Sequence, residues 1–419
     1  MNLPVQIFAS IITIGDELLI GQVIDTNSAF IAQELNKIGI AVKHRVAVGD
    51  NWEDIVETLD QESKRAKIVI ITGGLGPTAD DITKPLLCQY FNGNMVLDTP
   101  TLQHLEYIFR EVLKRPMIER NRKQAEVPDV CTVLKNEVGT APGMMFEKEG
   151  VLFFALPGVP YEMKWIVENH ILKILKNKFQ DTFIEHKTLL TAGMGESFLA
   201  DRLVDFEASL PQNIKMAYLP NYGMVRLRLT GNSNDYKSLV SLINIKFNEL
   251  KVLVNDILVV DDDIAMEVVI ANLLTQNKKT LSTAESCTGG FISQLLTSKS
   301  GASSFFEGGV VSYSYSVKEN VLNIEKSILE IYGAVSEETV KAMAINVMKL
   351  MNTDYAIAVS GIMGPNGGTL EKPVGSVWVA VASHNTIKTK LFKFRFDRTK
   401  NIQLTAVNAL NMLRELIVN

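Results

Sequence analysis

The sequence predicts an α/β protein: two three-layer α/β domains joined by a small α+β module. Three observations lead there. β-branched runs alternate with helical patterns through the first third of the chain and again through the last, the rhythm of a largely parallel sheet with helices on its faces. Between them lies a stretch of different order: strand, helix, paired strands, helix. A length of 419 residues also exceeds what one hydrophobic core ordinarily serves.

The elements follow in order. "QIFASIITIG", "IAVKHRVAVG" and "KIVIITGG" read as strands, with "NSAFIAQELNKIG" and "DIVETLDQESKRA" as the helices between them. "VLFFALPGVP" adds a strand ended by a Gly and Pro turn, and "YEMKWIVENHILKILKNKF" is a helix near the close of a first domain at 1–170. From 171 to 258, "HKTLLTAG", "GESFLADRLVDF", "IKMAYLP", "MVRLRLTG" and "YKSLVSLINIKFNELK" give the β-α-β-β-α order of ferredoxin-like or KH-like modules. The glycines of "GMGES" are wrongly spaced for a G-x-x-G loop that clamps a nucleic-acid backbone, so a structural or dimer-forming spacer is expected. The last domain, 259–419, opens at "VVDDDIAMEVVIANLL". Its strands are "KTLSTAES", "FEGGVVSYSY", "DYAIAVSG", "GSVWVAVAS" and "TKLFKFRF", and "KNIQLTAVNALNMLREL" is the final helix.

Composition removes several classes. Charged residues make up 21% of the chain, apolar residues 47%, and the net charge is −5, which fits neither a disordered tail nor a nucleic-acid-coating surface. Cys88, Cys131 and Cys287 show no C-x-x-C spacing, so a reducing compartment is expected rather than a disulfide framework or thiolate zinc site. "MNLPVQIFASIITIGDELL" has no Lys or Arg ahead of its apolar run and reads as a buried strand, not an export signal. No apolar run approaches the roughly 20 residues of a membrane span. A cytoplasmic protein without membrane contact is expected.

Two constellations carry chemistry. In "VIITGGLGPTADDITK" a strand runs into a glycine-rich turn and then a helix expected to hold Asp80, Asp81 and Thr83 in its first turn. Backbone N–H groups from Gly73 to Thr78, with the helix dipole, suit a phosphate or pyrophosphate. The pattern is neither a Walker A loop nor a dinucleotide fingerprint. Asp80 and Asp81 fit either helix capping or metal ligation. Asp16, Glu17, Asp25 and Asn27 in "GDELLIGQVIDTNS" fall at the carboxyl end of a strand, where open α/β sheets bind ligands, and their hard oxygens suit Mg²⁺ or a similar ion.

"GDELLIGQVIDTNS", "TGGLGPTADDITK", "NEVGTAPGM" and "LPGVPYEM" together resemble the molybdopterin-binding-like domain that opens CinA-family (competence/damage-inducible) proteins. The resemblance implies metal-dependent ADP-ribose pyrophosphatase activity. It further implies ligand-facing residues Asp16, Asp25, Asn27, Gly73, Gly74, Gly76, Thr78, Asp80 and Asp81, with Gly139, Thr140 and Gly143 as further candidates.

The second constellation is "TAESCTGGFISQLL". Ser286, Cys287 and Thr288 stand at a turn into a helix entered through Gly289 and Gly290, where free backbone N–H groups can hold an oxyanion. Helix capping is the alternative duty of the serine. Of five histidines in the chain only His384 lies in this domain, on a distant strand turn, so a Ser-Lys pair replaces a histidine triad. "GGVVSYSYSVKENVL" supplies Tyr313, Tyr315 and Lys318; burial could lower the lysine pKa enough for base catalysis, while an ordinary exposed lysine starting a helix is the alternative and, on the residues alone, the favoured one. Cys287 is expected to pack under the helix, leaving Ser286 as nucleophile. The loop holding Gly361, Gly364, Gly367 and Gly368, together with Arg398 at the start of the last helix, could receive a phosphate; a long flexible turn is the alternative.

"TAESCTGG", "FEGGVVSYS", "YGAVSEETV", "SGIMGPNGGTLEKPVGSVW" and "FDRTKNIQ" resemble, in that order, the nicotinamide-mononucleotide deamidase domain of the same family. The resemblance implies hydrolysis to nicotinic acid mononucleotide and ammonia without a metal, and a homodimer. Two other readings stand beside it: an amino-terminal domain that only binds a pterin or nucleotide, and a non-enzymatic recruitment protein in DNA uptake.

Overall fold

A computed structural model describes residues 7–78, 81–179 and 183–418. The chain forms two compact units, Met1–Glu185 with Thr230–Ile243, and His186–Leu229 with Asn244–Asn419.

In the first unit the strands are β1 (Phe8–Ile14), β2 (Ala41–Val48), β3 (Ile68–Thr72), β4 (Met95–Leu97), β5 (Glu126–Pro128), β6 (Thr132–Leu134), β7 (Gly143–Lys148) and β8 (Val151–Leu156). Six of them form a sheet in the order β2-β1-β3-β8-β7-β6, and β4 pairs with β5. The first four are parallel, as the sequence rhythm requires. β7 and β6 close the sheet in antiparallel fashion. That edge is not foreseen, because it depends on a two-residue turn at Glu149 and Gly150, φ +53° and +74°.

Side chains alternate across the central strands and feed two cores. Ile12, Ile14, Val69 and Ile71 pack with Ile55 and Leu59 of the helix Trp52–Arg65. Ile11, Ile68 and Ile70 pack with Ile31 and Leu35 of the helix Thr26–Lys37, and with Met163 and Ile166 beyond β8. This is the expected three-layer arrangement.

β9 (Phe183–Ala192), β10 (Ile214–Asn221), β11 (Met224–Ser233) and β12 (Leu258–Val260) form a sheet in the order β10-β11-β9-β12. The helix Glu196–Ala208 connects β9 to β10, the predicted α+β order. Leu190, Ala192 and Met224 of this module belong to the same buried cluster as Met266 and Leu410. These three residues of the module thus share a core with the carboxy-terminal residues.

The remaining strands are β13 (Leu281–Glu285), β14 (Phe306–Val311), β15 (Tyr355–Gly361), β16 (Ser376–Ser383) and β17 (Ile387–Lys393), in the order β14-β13-β15-β16-β17. β14 and β15 flank β13 in parallel, while β16 and β17 run antiparallel. One face carries Ile357, Val359, Val377, Val379 and Val381 and packs on the helices Met266–Asn277, Phe291–Thr297 and Arg398–Val418. The other is lined with Ala284, Ala356, Ala358, Ala380 and Ala382, small enough for the helix Glu337–Met351 to approach closely. The predicted strand "FEGGVVSYSY" stops at Val311. Ser314 instead caps a helix Tyr315–Asn320, accepting the Val317 N–H at 3.3 Å. No helix among the described residues is long and apolar enough to cross a membrane.

Candidate active site

Ser286 follows the last residue of β13, with its N–H on Val359 O at 3.0 Å. Gly289 (φ +64°) and Gly290 (φ +101°) then turn the chain into the helix Phe291–Thr297 in a conformation that strains other residues. Cys287 turns into the aliphatic core, and burial pushes its thiol up to about 12. Ser286 turns the other way, to Lys318. That lysine is fully buried, its Nζ 3.0 Å from Ser286 Oγ, 2.6 Å from Ser312 O and 3.4 Å from Tyr313 O. No carboxylate among the described residues forms an ion pair with it, and desolvation lowers its pKa. His384 sits exposed after β16, at the opposite end of the sheet from Ser286, since Tyr355 pairs with both Leu281 and Ser383.

The turn differs from expectation in its donors. Glu285, buried, accepts the N–H groups of Gly290, Ile292 and Ser293 at 3.1, 3.0 and 2.8 Å, and the hydroxyls of Thr288 and Ser293 at 2.6 and 2.7 Å. Gly289 donates to Ser286 O. Gly289 therefore leaves the expected oxyanion set, and the N–H groups of Cys287 and Thr288 meet no backbone carbonyl among the described residues. Sequence reading does not single out Glu285, although an acid just ahead of a helix is a recognisable cap signal.

Tyr313 also departs from its expected place. Its ring is exposed, and its hydroxyl accepts from Arg398 Nη2 at 3.1 Å, so only its carbonyl approaches Lys318. A relay through the Tyr313 hydroxyl is absent. Arg398 Nη1 donates to Gly364 O at 2.9 Å, and Asn401 Nδ2 to Met363 O at 3.1 Å, which ties the glycine loop to the last helix. Gly364 and Gly367 hold φ of +86° and +92°. Gly361 and Gly368 serve close packing instead: added Cβ atoms would lie 2.7 Å from Ser376 O and from Val374 N.

In the first unit the glycine turn forms, and three of its donors are occupied, the Gly73 N–H by Leu156 O at 3.1 Å. The Asp81 carboxylate accepts the N–H groups of Gly76 and Thr78 at 2.9 and 2.8 Å, together with the Thr78 hydroxyl. Asp81 precedes the helix Thr83–Tyr90 rather than sitting in its first turn. Asp80 lies outside the described residues. Asp25 caps the helix Thr26–Lys37 through Ser28, with Arg45 at 3.8 Å, and Asp16 accepts the Asp50 N–H at 3.2 Å. No three His, Cys, Asp or Glu side chains gather as ligands among the described residues. Asp16, Asp25 and Asp81 each meet their own local donors.

Asn27 does reach a recess. Its Nδ2 donates to Gly158 O at 2.8 Å and its Oδ1 is buried without a partner, beside a cavity of about 150 Å³ that Thr72, Gly73 and Gly158 also line. Gly73 is indispensable there, with a Cβ position only 2.2 Å from Ile14 O. Thr140 Oγ1 accepts from Gln124 Nε2 at 3.2 Å, and Gln124 O accepts from the buried Lys84, whose amine burial brings down to about 8. Gly139 packs on Glu162, with a Cβ position 2.1 Å from its carboxyl carbon. Gly143 opens β7 under Ile166, where a Cβ would lie 3.1 Å away, so it faces the core and no ligand. Lys84, Gln124 and Glu162 escape sequence reading because nothing local marks them as buried.

Comparison with known proteins bears on this geometry. A CinA-like protein of Flavobacterium psychrophilum is 44% identical over 413 residues, covering 98% of this chain and 99% of that protein. The chain belongs to the CinA family. A CinA-like protein of Cytophaga hutchinsonii is likewise 44% identical, over 409 residues and 98% of each chain. Three family models match in succession: a probable molybdopterin binding domain at 10–177, the damage-inducible protein CinA KH domain at 186–256 and the CinA C-terminal domain at 263–417. Among solved structures, the competence damage-inducible protein A of Klebsiella pneumoniae is 34% identical over 37% of this chain and 96% of its own, with a TM-score of 0.36. In this CinA-family chain Ser286 and Lys318 both fall inside the CinA C-terminal match.

Proposed function

We propose that the carboxy-terminal part hydrolyses the carboxamide of nicotinamide mononucleotide, giving nicotinic acid mononucleotide and ammonia. The observation that carries this reading is the buried contact of Lys318 Nζ with Ser286 Oγ at 3.0 Å. An uncharged amine has two N–H groups and one lone pair. The carbonyls of Ser312 and Tyr313 accept the first two, which aims the lone pair at the Ser286 hydroxyl.

Ser286 Oγ attacks the carboxamide carbon as its proton passes to Lys318. The N–H groups of Cys287 and Thr288 hold the oxyanion. The carbon–nitrogen bond then breaks, the lysine ammonium returns the proton to nitrogen, and ammonia leaves. Water, deprotonated by Lys318, frees the acid from the serine ester. No step calls on a metal. Arg398, which spans Gly364 and Tyr313, is the group for the nucleotide phosphate. A chromatographic assay of purified protein with nicotinamide mononucleotide tests the reading, and a folded Ser286→Ala variant with full turnover would overturn it.

For the amino-terminal unit, the unpartnered Asn27 Oδ1 beside its cavity favours binding of a nucleotide or pterin. Assays with ADP-ribose plus Mg²⁺, with and without chelator, separate binding from pyrophosphate cleavage: turnover that the chelator abolishes would overturn a binding-only role.

A further inference from the structure

Ser312 is wholly buried, and its Oγ has no hydrogen-bond partner. A hydroxyl in that state costs stability and gains nothing from the folded chain. Its position explains what it is for. β13 and β14 pair in parallel with Glu285 opposite Val311, and the Ser312 N–H donates to Glu285 O at 2.8 Å, extending the ladder by one step. Ser286 and Ser312 therefore stand side by side. In-register neighbours project to one face of a sheet; the pair two residues earlier, Ala284 and Val310, packs in one cluster. Lys318 Nζ touches both residues, at Ser286 Oγ and Ser312 O.

We propose that the Ser312 hydroxyl is a substrate contact that accepts an N–H of the carboxamide and so selects amides. This rests on the deamidase reading. As Ser286 Oγ bonds to the carboxamide carbon, the carbonyl electrons move to oxygen, which faces the N–H groups of Cys287 and Thr288. The nitrogen must lie instead at Lys318 Nζ, because on collapse it takes the carbon–nitrogen electron pair and the proton the lysine carried from Ser286. Ser312, beside Ser286 by register and with its carbonyl on Lys318 Nζ, is the residue on that side of the reacting carbon. An amide N–H supplies the partner the folded chain withholds, whereas an ester oxygen offers no donor.

The test compares wild type, Ser312→Ala and Ser312→Thr on nicotinamide mononucleotide and on the methyl ester of nicotinic acid mononucleotide, with thermal unfolding of each protein. Ser312→Ala is expected to lose about tenfold in kcat/KM on the amide and less than twofold on the ester, while its Tm holds or rises. Ser312→Thr, which keeps the hydroxyl, is expected to regain most of the amide activity. Equal losses on both substrates, no loss on the amide, or a fall in Tm that tracks the lost activity would each overturn the proposal. Failure of the deamidase reading is distinct: wild type itself would then leave the mononucleotide unchanged.

Discussion

The Tyr313 hydroxyl accepts a hydrogen bond from Arg398 Nη2 at 3.1 Å, joining the segment after β14 to the first residue of the last helix. With Gly364 O on its other nitrogen, the guanidinium is held between two loops. Arg398→Ala is expected to raise KM for nicotinamide mononucleotide roughly ten- to a hundredfold, the worth of a charged hydrogen bond, with little change in kcat. Steady-state kinetics against nicotinamide riboside, which has no phosphate, provide the control: its KM should not move.

Lys318 couples activity and stability to pH. Its folded pKa is lowered by burial, so the free amine, the active base, is lost as pH falls through that value. The kcat/KM profile should show one acidic limb that disappears with the protein's activity in Lys318→Met. Between the lowered folded pKa and the ordinary lysine value of 10.5 the unfolded chain binds more protons, so stability rises with pH across that window. Lys318→Met is therefore expected to be more stable than wild type at neutral pH, with the gap closing as pH approaches 10.5. Denaturant titrations at several pH values measure it.

Glu285 meets five donors in a buried site. Glu285→Ala strands the N–H groups of Gly290, Ile292 and Ser293 and should cost more than about 2 kcal/mol in urea unfolding. Because the same bonds shape the turn that presents Cys287 and Thr288, kcat should fall even at temperatures where the variant is fully folded.

Cys287 is a core residue beside the nucleophile. Cys287→Ala should keep kcat within a few-fold of wild type and lose about 1–2 kcal/mol of stability. A loss of turnover comparable to that of Ser286→Ala would point to the thiol instead.

Gly74, at φ +65° with a Cβ position 2.1 Å from Thr83 Oγ1, admits no side chain. Gly74→Ala is expected to destabilise the amino-terminal unit by more than about 1 kcal/mol, read as an earlier unfolding step, and to leave deamidation unchanged.

Local pattern alone determined the α/β class, the central strands from β1 to β3 and from β13 to β15, and the turn carrying Ser286, because period and turn chemistry are written within a few residues of each element. It also placed Cys287 and Ser286 on opposite sides of the turn, since adjacent residues at a strand end face opposite ways. Partners far apart in sequence were decided only by tertiary structure. Lys318 became a buried amine by packing against the end of β13, Ser312 came beside Ser286 through strand register, and Tyr313 turned to Arg398. Asp16, Asp25 and Asp81 look alike in sequence as ligands; folding gave each a different local donor, because the N–H groups and side chains nearest to each were fixed by tertiary contacts.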